Sequence, residues 1–181
     1  MVKRFSVAAF SLMVFVFSFA GPTRCISQTQ LNPRLTTKIA RSVKRKEPDW
    51  RYVVGFCTCP PLLPSQLFDD FAQWDRRRAN GTRERVGMQI YRIGSQKEIS
   101  DFMKGFRTQR WTGGARVQKY DLGDEAYLVD DSQKNNGSIV KIANPVQIWM
   151  RKNNLVLNID GELEGTVIRF AQYALQDLPR N

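Results

Sequence analysis

Histidine is absent from this chain of 181 residues, and cysteine occurs only three times. Without histidine there is no Ser-His-Asp or Cys-His catalytic site, no histidine-ligated zinc and no histidine-based pH switch. Acidic residues are also scarce: 17 Asp and Glu stand against 28 Lys and Arg, which gives a formal net charge of +11. The sequence therefore predicts a basic protein without a metal site or a cofactor.

A leader is predicted at the N-terminus. Lys3 and Arg4 precede an apolar run from Phe5 to Ala20, which is the pattern of a secretory signal peptide. Cleavage after Ala20 and cleavage after Ser27 both follow small residues, and an uncleaved leader that anchors the protein in the membrane is the alternative. We therefore expect an exported protein, either periplasmic or extracellular.

Export changes the meaning of the positive charge. In the cytoplasm it would suggest nucleic acid, but no nucleic-acid partner is expected outside it. The charge instead favours an unknown envelope or extracellular partner, such as an anionic polymer or a membrane surface. Alternatively, it only keeps the protein soluble.

Composition and periodicity divide the chain into three parts. Leu35, Ile39 and Val43 recur at helical spacing among basic residues, but three apolar residues form a thin stripe, which favours a frayed or solvent-facing segment. The predicted parts are a signal peptide at 1–20, a linker and basic N-terminal arm at 21–48, and a single α+β domain at 49–181.

Turn signals indicate how the domain is organised. Asn80-Gly81 predicts a type I′ hairpin, and Asn136-Gly137 and Asn153-Asn154 predict two further turns. Between the turns, strands show period-two alternation, as in Val86, Met88 and Ile90. Hairpins join neighbouring strands, so the fold class is α+β, with a twisted and mainly antiparallel sheet.

Two amphipathic helices are expected to cover this sheet. Ser95 and Glu98 form a capping box before the first helix, and the second follows Asp160-Gly161, which we expect to cap it. The sequence also predicts a short helix after Pro64 and one strand across residues 115–129.

Arginine is concentrated around the Asn80-Gly81 turn. Guanidinium groups suit carboxylate, sulfate and phosphate, so this hairpin is the candidate site for an anionic ligand. A solvated edge hairpin that charge protects against aggregation is the alternative. The candidate residues are Arg76, Arg77, Arg78, Arg83, Arg85 and Trp74.

The three cysteines are candidates for a disulfide or for redox chemistry. Cys57 and Cys59 are two residues apart on a predicted strand, about 6.6 Å between Cα atoms, which is poor geometry for a bridge within the pair. Cys25 stays in the mature protein only if cleavage follows Ala20. A structural disulfide, free thiols and a redox pair remain open.

Carboxylates raise the possibility of glycoside hydrolysis, which uses two carboxyl groups about 5–9 Å apart. Turn, cap and surface roles are the alternative, because aspartate serves turns so often. The candidates are Asp121, Asp124, Glu125, Asp160 and Glu162.

Residues 121–178 resemble a known family. The segment Asp121-Leu-Gly-Asp-Glu-Ala-Tyr127 is followed by two alternating strands at 147–151 and 155–160 and by a terminal amphipathic helix. This order is similar to that of small exported bacterial α/β/α sandwich domains of the PsbP-like kind, many of unknown function. The resemblance implies a non-enzymatic accessory, sensor or ligand-binding unit, and it supplies no active site.

The sequence thus predicts an exported, non-catalytic domain with a binding or scaffolding role in the envelope or outside it, toward an anionic ligand if the arginine hairpin provides the contact. Two alternatives stay open. One is a secreted hydrolase that uses a carboxylate pair, and the other is a thiol redox protein that uses Cys57 and Cys59.

Overall fold

The computed structural model of the chain describes residues 35–54, 61–108, 115–132 and 144–179. The leader, the three cysteines and the Asn136-Gly137 turn lie outside these ranges. Within them, the elements in chain order are α1 Leu35–Lys46, β1 Arg51–Val54, β2 Gln66–Arg77, β3 Arg83–Ile93, α2 Gln96–Thr108, β4 Arg116–Tyr120, β5 Glu125–Asp130, β6 Val146–Lys152, β7 Leu155–Gly161 and α3 Glu164–Asp177.

The described strands form one sheet in the order β1-β2-β3-β7-β6-β5-β4. Every neighbouring pair is antiparallel. Helix α2 carries the chain from β3 to the far edge at β4, and β4 to β7 then return as a meander that ends beside β3. The α+β class with a mainly antiparallel sheet is confirmed.

One face of the sheet packs against α1 and α3. Val86, Met88 and Ile90 are fully buried there, as the alternation along β3 predicted. Phe170 of α3 lies among the aromatic rings of this core, with its ring centroid 5.3 Å from that of Trp74 and 5.1 Å from that of Trp50. Burying each such apolar side chain contributes about 1.5–3 kcal/mol, so this layer is the main source of stability.

Helix α1 belongs to this core and is not a separate arm. Ile39 and Val43 are fully buried, and α1 contacts α3 and strands β1 to β3. A narrow apolar stripe suffices because the sheet and α3 offer it a ready apolar surface. The folded domain therefore includes α1, and its start is not at residue 49.

The opposite face is covered in part by α2. The sequence predicts a stripe of Ile99, Phe102, Met103 and Phe106 on this helix. Three of these residues are buried in a second core, and Phe102 packs against it partly buried. The Ser95 hydroxyl accepts a hydrogen bond from the N–H of Glu98 at 3.2 Å, which is half of the predicted capping box. The Glu98 carboxylate instead accepts bonds from the N–H and hydroxyl of Ser65, at 3.0 and 2.9 Å.

The segment after Pro64 is strand β2, so the predicted short helix is wrong. Ala72 and Trp74 are fully buried on one face of β2, which pairs with β1 on one side and β3 on the other. The helix prediction rests on the roughly helical spacing of Phe68, Phe71 and Trp74 in the sequence. Strand pairing on both sides of β2 outweighs that spacing, because strand preference depends strongly on tertiary context.

Residues 115–129 form two strands, β4 and β5, where a single strand was predicted. Gly123 has a φ of +64°, and the N–H of Asp124 donates to the carbonyl of Arg151 at 2.8 Å. A positive φ suits glycine, so Gly123 allows the chain to reverse here.

The Asn80-Gly81 hairpin is present, but its turn is not type I′. Only Gly81 has a positive φ there, of 81°. The N–H of Gly81 donates to the carbonyl of Arg78 at 2.9 Å, and the N–H of Arg78 donates to the carbonyl of Thr82 at 2.8 Å. This is a type I turn followed by a G1 bulge.

Candidate functional site

Most arginines of the β2–β3 hairpin are paired with carboxylates. Arg76 and Arg78 converge on one oxygen of the buried Glu84, at 2.9 and 3.1 Å. The hydroxyl of Thr166 donates to the other oxygen at 2.9 Å. Because Thr166 belongs to α3, these contacts join the hairpin to the helical layer and withdraw both arginines from external ligands.

The protonation of Glu84 reflects this network. Burial raises the pKa of Glu84, but hydrogen bonds from Arg78, Arg76 and Thr166 outweigh it, and the pKa ends below its ordinary value. Arg78 also reaches Glu162 at 2.9 Å. The carboxylate is therefore charged at neutral pH, and the network is a structural ion-pair cluster.

A second cluster occupies the other face of the sheet. Asp75 is nearly buried and pairs with Arg51 at 3.2 Å and with Arg83 at 2.5 Å. The hydrogen bond from Arg51 is the main cause that lowers the pKa of Asp75, while burial opposes it. Arg83 is thus also engaged within the fold.

The structure does not assemble the predicted hairpin site. Trp74 is fully buried, with its ring centroid 5.4 Å from Tyr52 and 5.3 Å from Phe170. Only Arg77 and Arg85 are exposed and form no ion pair with any described residue. The six candidates therefore lie in four different environments. The sequence does not predict this because the carboxylates of β2, β3 and the segment before α3 reach the arginines only after folding.

The candidate carboxylates are also dispersed. Asp124 accepts bonds from Lys152 at 3.1 Å and from the N–H of Asn153 at 2.6 Å, near the β6–β7 turn. Asp160 pairs in register with Gln147, at the other end of that hairpin. Asp124 and Asp160 are thus separated by at least four residues of strand, which span about 13 Å. This distance is larger than the separation of the two carboxyl groups in glycosidases.

Asp160 does not cap the last helix. It lies on the sheet, and α3 begins after Leu163 without a side-chain cap, so the expected capping role of Asp160 is wrong.

An unpaired basic surface lies elsewhere, on the exposed side of α1. Helix α1 contains five cations and no acidic residue. Lys44 and Arg45 donate to the Pro48 carbonyl and the Ser42 hydroxyl, and none of the five forms an ion pair with a described residue. We call these residues the α1 basic surface: Lys38, Arg41, Lys44, Arg45 and Lys46.

The α1 basic surface borders an open groove of about 990 Å³ between α1 and β1. Arg51 and Tyr52 of β1 form part of its wall, and Asp177 contributes a carboxylate. Four of the five α1 cations line it. A groove edged by unpaired cations is suited to an extended anion. The signal for this surface in the sequence is a basic run in α1 without acidic residues, which the sequence alone places in an N-terminal arm.

The described residues contain no group of three or more His, Cys, Asp and Glu that could hold a metal ion. None of the described helices is long and apolar enough to cross a membrane.

No protein-family model matches the chain, and no curated protein or solved structure is significantly similar to it. The resemblance to PsbP-like domains stays a prediction.

Proposed function

We propose that this chain is an exported, non-catalytic binding domain, and that the α1 basic surface holds an acidic polymer. The observation that carries the proposal is the contrast between two sets of cations. The hairpin arginines are largely neutralised by Glu84, Asp75 and Glu162, whereas the α1 cations have no carboxylate partner among the described residues.

The orientation of α1 favours a polymer over a lipid surface. A helix that binds a membrane places its apolar face in the lipid. In this protein Ile39 and Val43 are fully buried against the protein core, so α1 offers the partner only its charged side. An acidic glycan or wall polymer can follow such a surface through charge and hydrogen bonds alone.

Heparin affinity chromatography tests the proposal. The double variant Lys38→Gln/Arg41→Gln removes two α1 cations, and Arg77→Gln/Arg85→Gln is a control with the same change in net charge at exposed, unpaired arginines. We expect the α1 variant to elute at clearly lower salt than the wild type, because each lost contact reduces counterion release. The control should elute close to the wild type.

Equal shifts in the two variants would show that only net charge matters and would overturn the proposal. Cosedimentation with vesicles that contain about one third anionic lipid, a fraction at which surface charge attracts basic segments, provides the second measurement. Binding to vesicles that is stronger than binding to heparin would assign α1 to a membrane instead.

A further inference from the structure

Beside α2, the second face of the sheet carries a cluster of amide side chains. Register places Gln147, Asp160, Gly87 and Gln73 in one row across β6, β7, β3 and β2. The adjacent row contains Trp149, Asn158, Gln89 and Phe71. Directly opposed side chains on one face lie about 4.5–5.5 Å apart at Cβ, so these groups are neighbours. We call Gln73, Gln89, Gln147, Asn158 and Asp160 the amide cluster.

The amide cluster has hydrogen-bond donors for which no described residue is an acceptor. Asn158 is only 6% exposed, and its Nδ2 has no hydrogen-bond partner in the described part of the chain. The oxygen of Gln89 accepts from the Tyr91 hydroxyl, and that of Gln147 accepts from Trp149 Nε1 at 3.2 Å. Their NH₂ groups have no partner among the described residues. Buried polar groups are nearly always paired, so a buried donor left unused beside two others indicates a missing partner.

Asp160 supplies the acceptor. Its carboxylate receives a hydrogen bond from Asn144 and lies over Gly87, where a β-carbon would collide with Oδ1. Burial raises the pKa of Asp160, and the bond from Asn144 offsets that rise only in part. No described cation pairs with Asp160. An anionic ligand would meet this carboxylate directly, and a cationic one would find a single carboxylate with the exposed Arg85 two residues from Gly87 on the same face of β3.

One edge of the amide cluster is aromatic. The ring of Trp149 packs against those of Phe102 and Phe106, with centroid distances of 5.4 and 5.7 Å, and Trp149 is half-buried. The wall is held in place by α2, and its link to the polar rows is the hydrogen bond from the indole N–H to Gln147. Amide donors, a carboxyl acceptor and an aromatic wall together suit a ligand whose hydroxyl groups and C–H surfaces alternate.

We propose that the amide cluster binds an uncharged polyhydroxylated ligand, such as a unit of a neutral oligosaccharide. Gln89, Gln147 and Asn158 donate to ligand oxygens, Asp160 accepts from a hydroxyl group, and Trp149 lies against the apolar side of the ring. This site is on the sheet face opposite to α1, so it is independent of the α1 basic surface.

Side-chain amide signals in ¹⁵N NMR spectra of the purified protein provide a direct test. Cellotetraose, maltotetraose and chitotetraose are the probes, each titrated to about 10 mM, a range that detects weak binding. We expect at least one probe to cause saturable shifts of the Asn158, Gln89 and Gln147 side-chain signals. The variant Gln147→Leu should weaken that binding about tenfold or more, whereas Gln118→Leu, an exposed position on β4, should not.

Asn158→Leu provides the same comparison if Gln147→Leu fails to fold, since it removes an unpartnered polar group at similar volume. The proposal is overturned if no probe gives saturable shifts, or if the amide variants bind as the wild type does. It is also overturned if tetragalacturonate, an anionic tetrasaccharide, binds more tightly than every neutral probe. Heparin elution of Gln147→Leu should equal that of the wild type, so failure here is distinguishable from failure of the α1 proposal.

Discussion

The Asp70 carboxylate on β2 and the hydroxyl of Thr36 on α1, 34 positions apart in the chain, are joined by a hydrogen bond of 2.9 Å. The same carboxylate oxygen accepts the backbone N–H of Thr36 at 3.0 Å. Helix α1 has no acidic residue in its first turn, so a neighbouring strand supplies the negative charge that favours a helix N-terminus. The position of the α1 basic surface therefore depends on Asp70.

Replacing Asp70 should loosen α1. Asp70→Ala leaves the buried N–H of Thr36 without its acceptor and leaves its hydroxyl only the longer contact with Tyr52, at 3.4 Å, so we expect the free energy of unfolding to fall by about 2 kcal/mol. Urea denaturation measures the loss, and amide hydrogen exchange should show it concentrated in α1. Asp121→Ala, at an exposed site, is the control. Unchanged exchange in α1 would contradict the capping role.

Protonation of Glu84 should lower the stability of the fold in acid. Its folded pKa is below the ordinary value, so its contribution is present above the unfolded pKa and is lost as pH falls through the folded pKa. Glu84→Gln should flatten this acid limb in denaturation curves measured across pH. Glu84→Ala should cost about 3 kcal/mol, the low end for breaking a buried ion pair, because Arg76 and Arg78 remain partly hydrated.

The control for Glu84 is the exposed pair of Lys97 and Asp101 on α2. Exposed ion pairs contribute little, so Asp101→Asn should leave stability nearly unchanged at neutral pH. Equal losses of stability in Asp101→Asn and Glu84→Ala would show that the burial of Glu84 is not what makes its network important.

Local patterns were sufficient for much of the fold. The β6–β7 hairpin has Asn153 at a φ of 55°, a conformation that asparagine tolerates, and the alternation on either side fixes its register. The apolar stripes of α2 and α3 can also be predicted from the sequence, because helical periodicity is visible within a single segment. These elements need no information from distant residues.

What the sequence did not predict depends on distant partners. Nothing near Ile39 and Val43 in the sequence shows that a sheet and α3 will cover them, so local patterns predict an arm where the structure has a core helix. Arg76 and Arg78 look like a free basic patch until Thr166 and Glu162 bring α3 and its flanking segment to the hairpin. The amide cluster is assembled from four strands, and single glutamines in separate strands carry no signal of convergence.

The contribution of Asp160 to stability should change with pH in the opposite direction to that of Glu84. Its folded pKa is raised, so its contribution is fully present below the unfolded pKa and is lost as pH rises through the folded pKa. Asp160→Asn removes the cost of a buried charge and should increase the free energy of unfolding at neutral pH. It should also weaken the binding of the neutral oligosaccharide.

Asp130→Asn is the matched comparison. The pKa of Asp130 is lowered, because bonds from Ser132 and the charge of Arg116 outweigh burial. This substitution should therefore decrease stability at neutral pH. Thermal denaturation at two pH values distinguishes the pair, and a loss of stability in both variants would contradict the assignment of Asp160 as a costly buried carboxylate.

Replacing two glycines by alanine should change the stability of the fold in opposite directions. At Gly123 the φ is +64°, and a β-carbon would collide with the carbonyl oxygen of Arg151, so Gly123→Ala should destabilise the fold by about 2 kcal/mol or more through strain in the β4–β5 turn. At Gly105, in α2, a β-carbon meets nothing within 4 Å, so Gly105→Ala should stabilise by about 0.5–1 kcal/mol. Urea midpoints measured side by side test both. An unchanged urea midpoint for Gly123→Ala would show that the turn relaxes at no cost in stability. Gly123 would then not be what holds β4 in register.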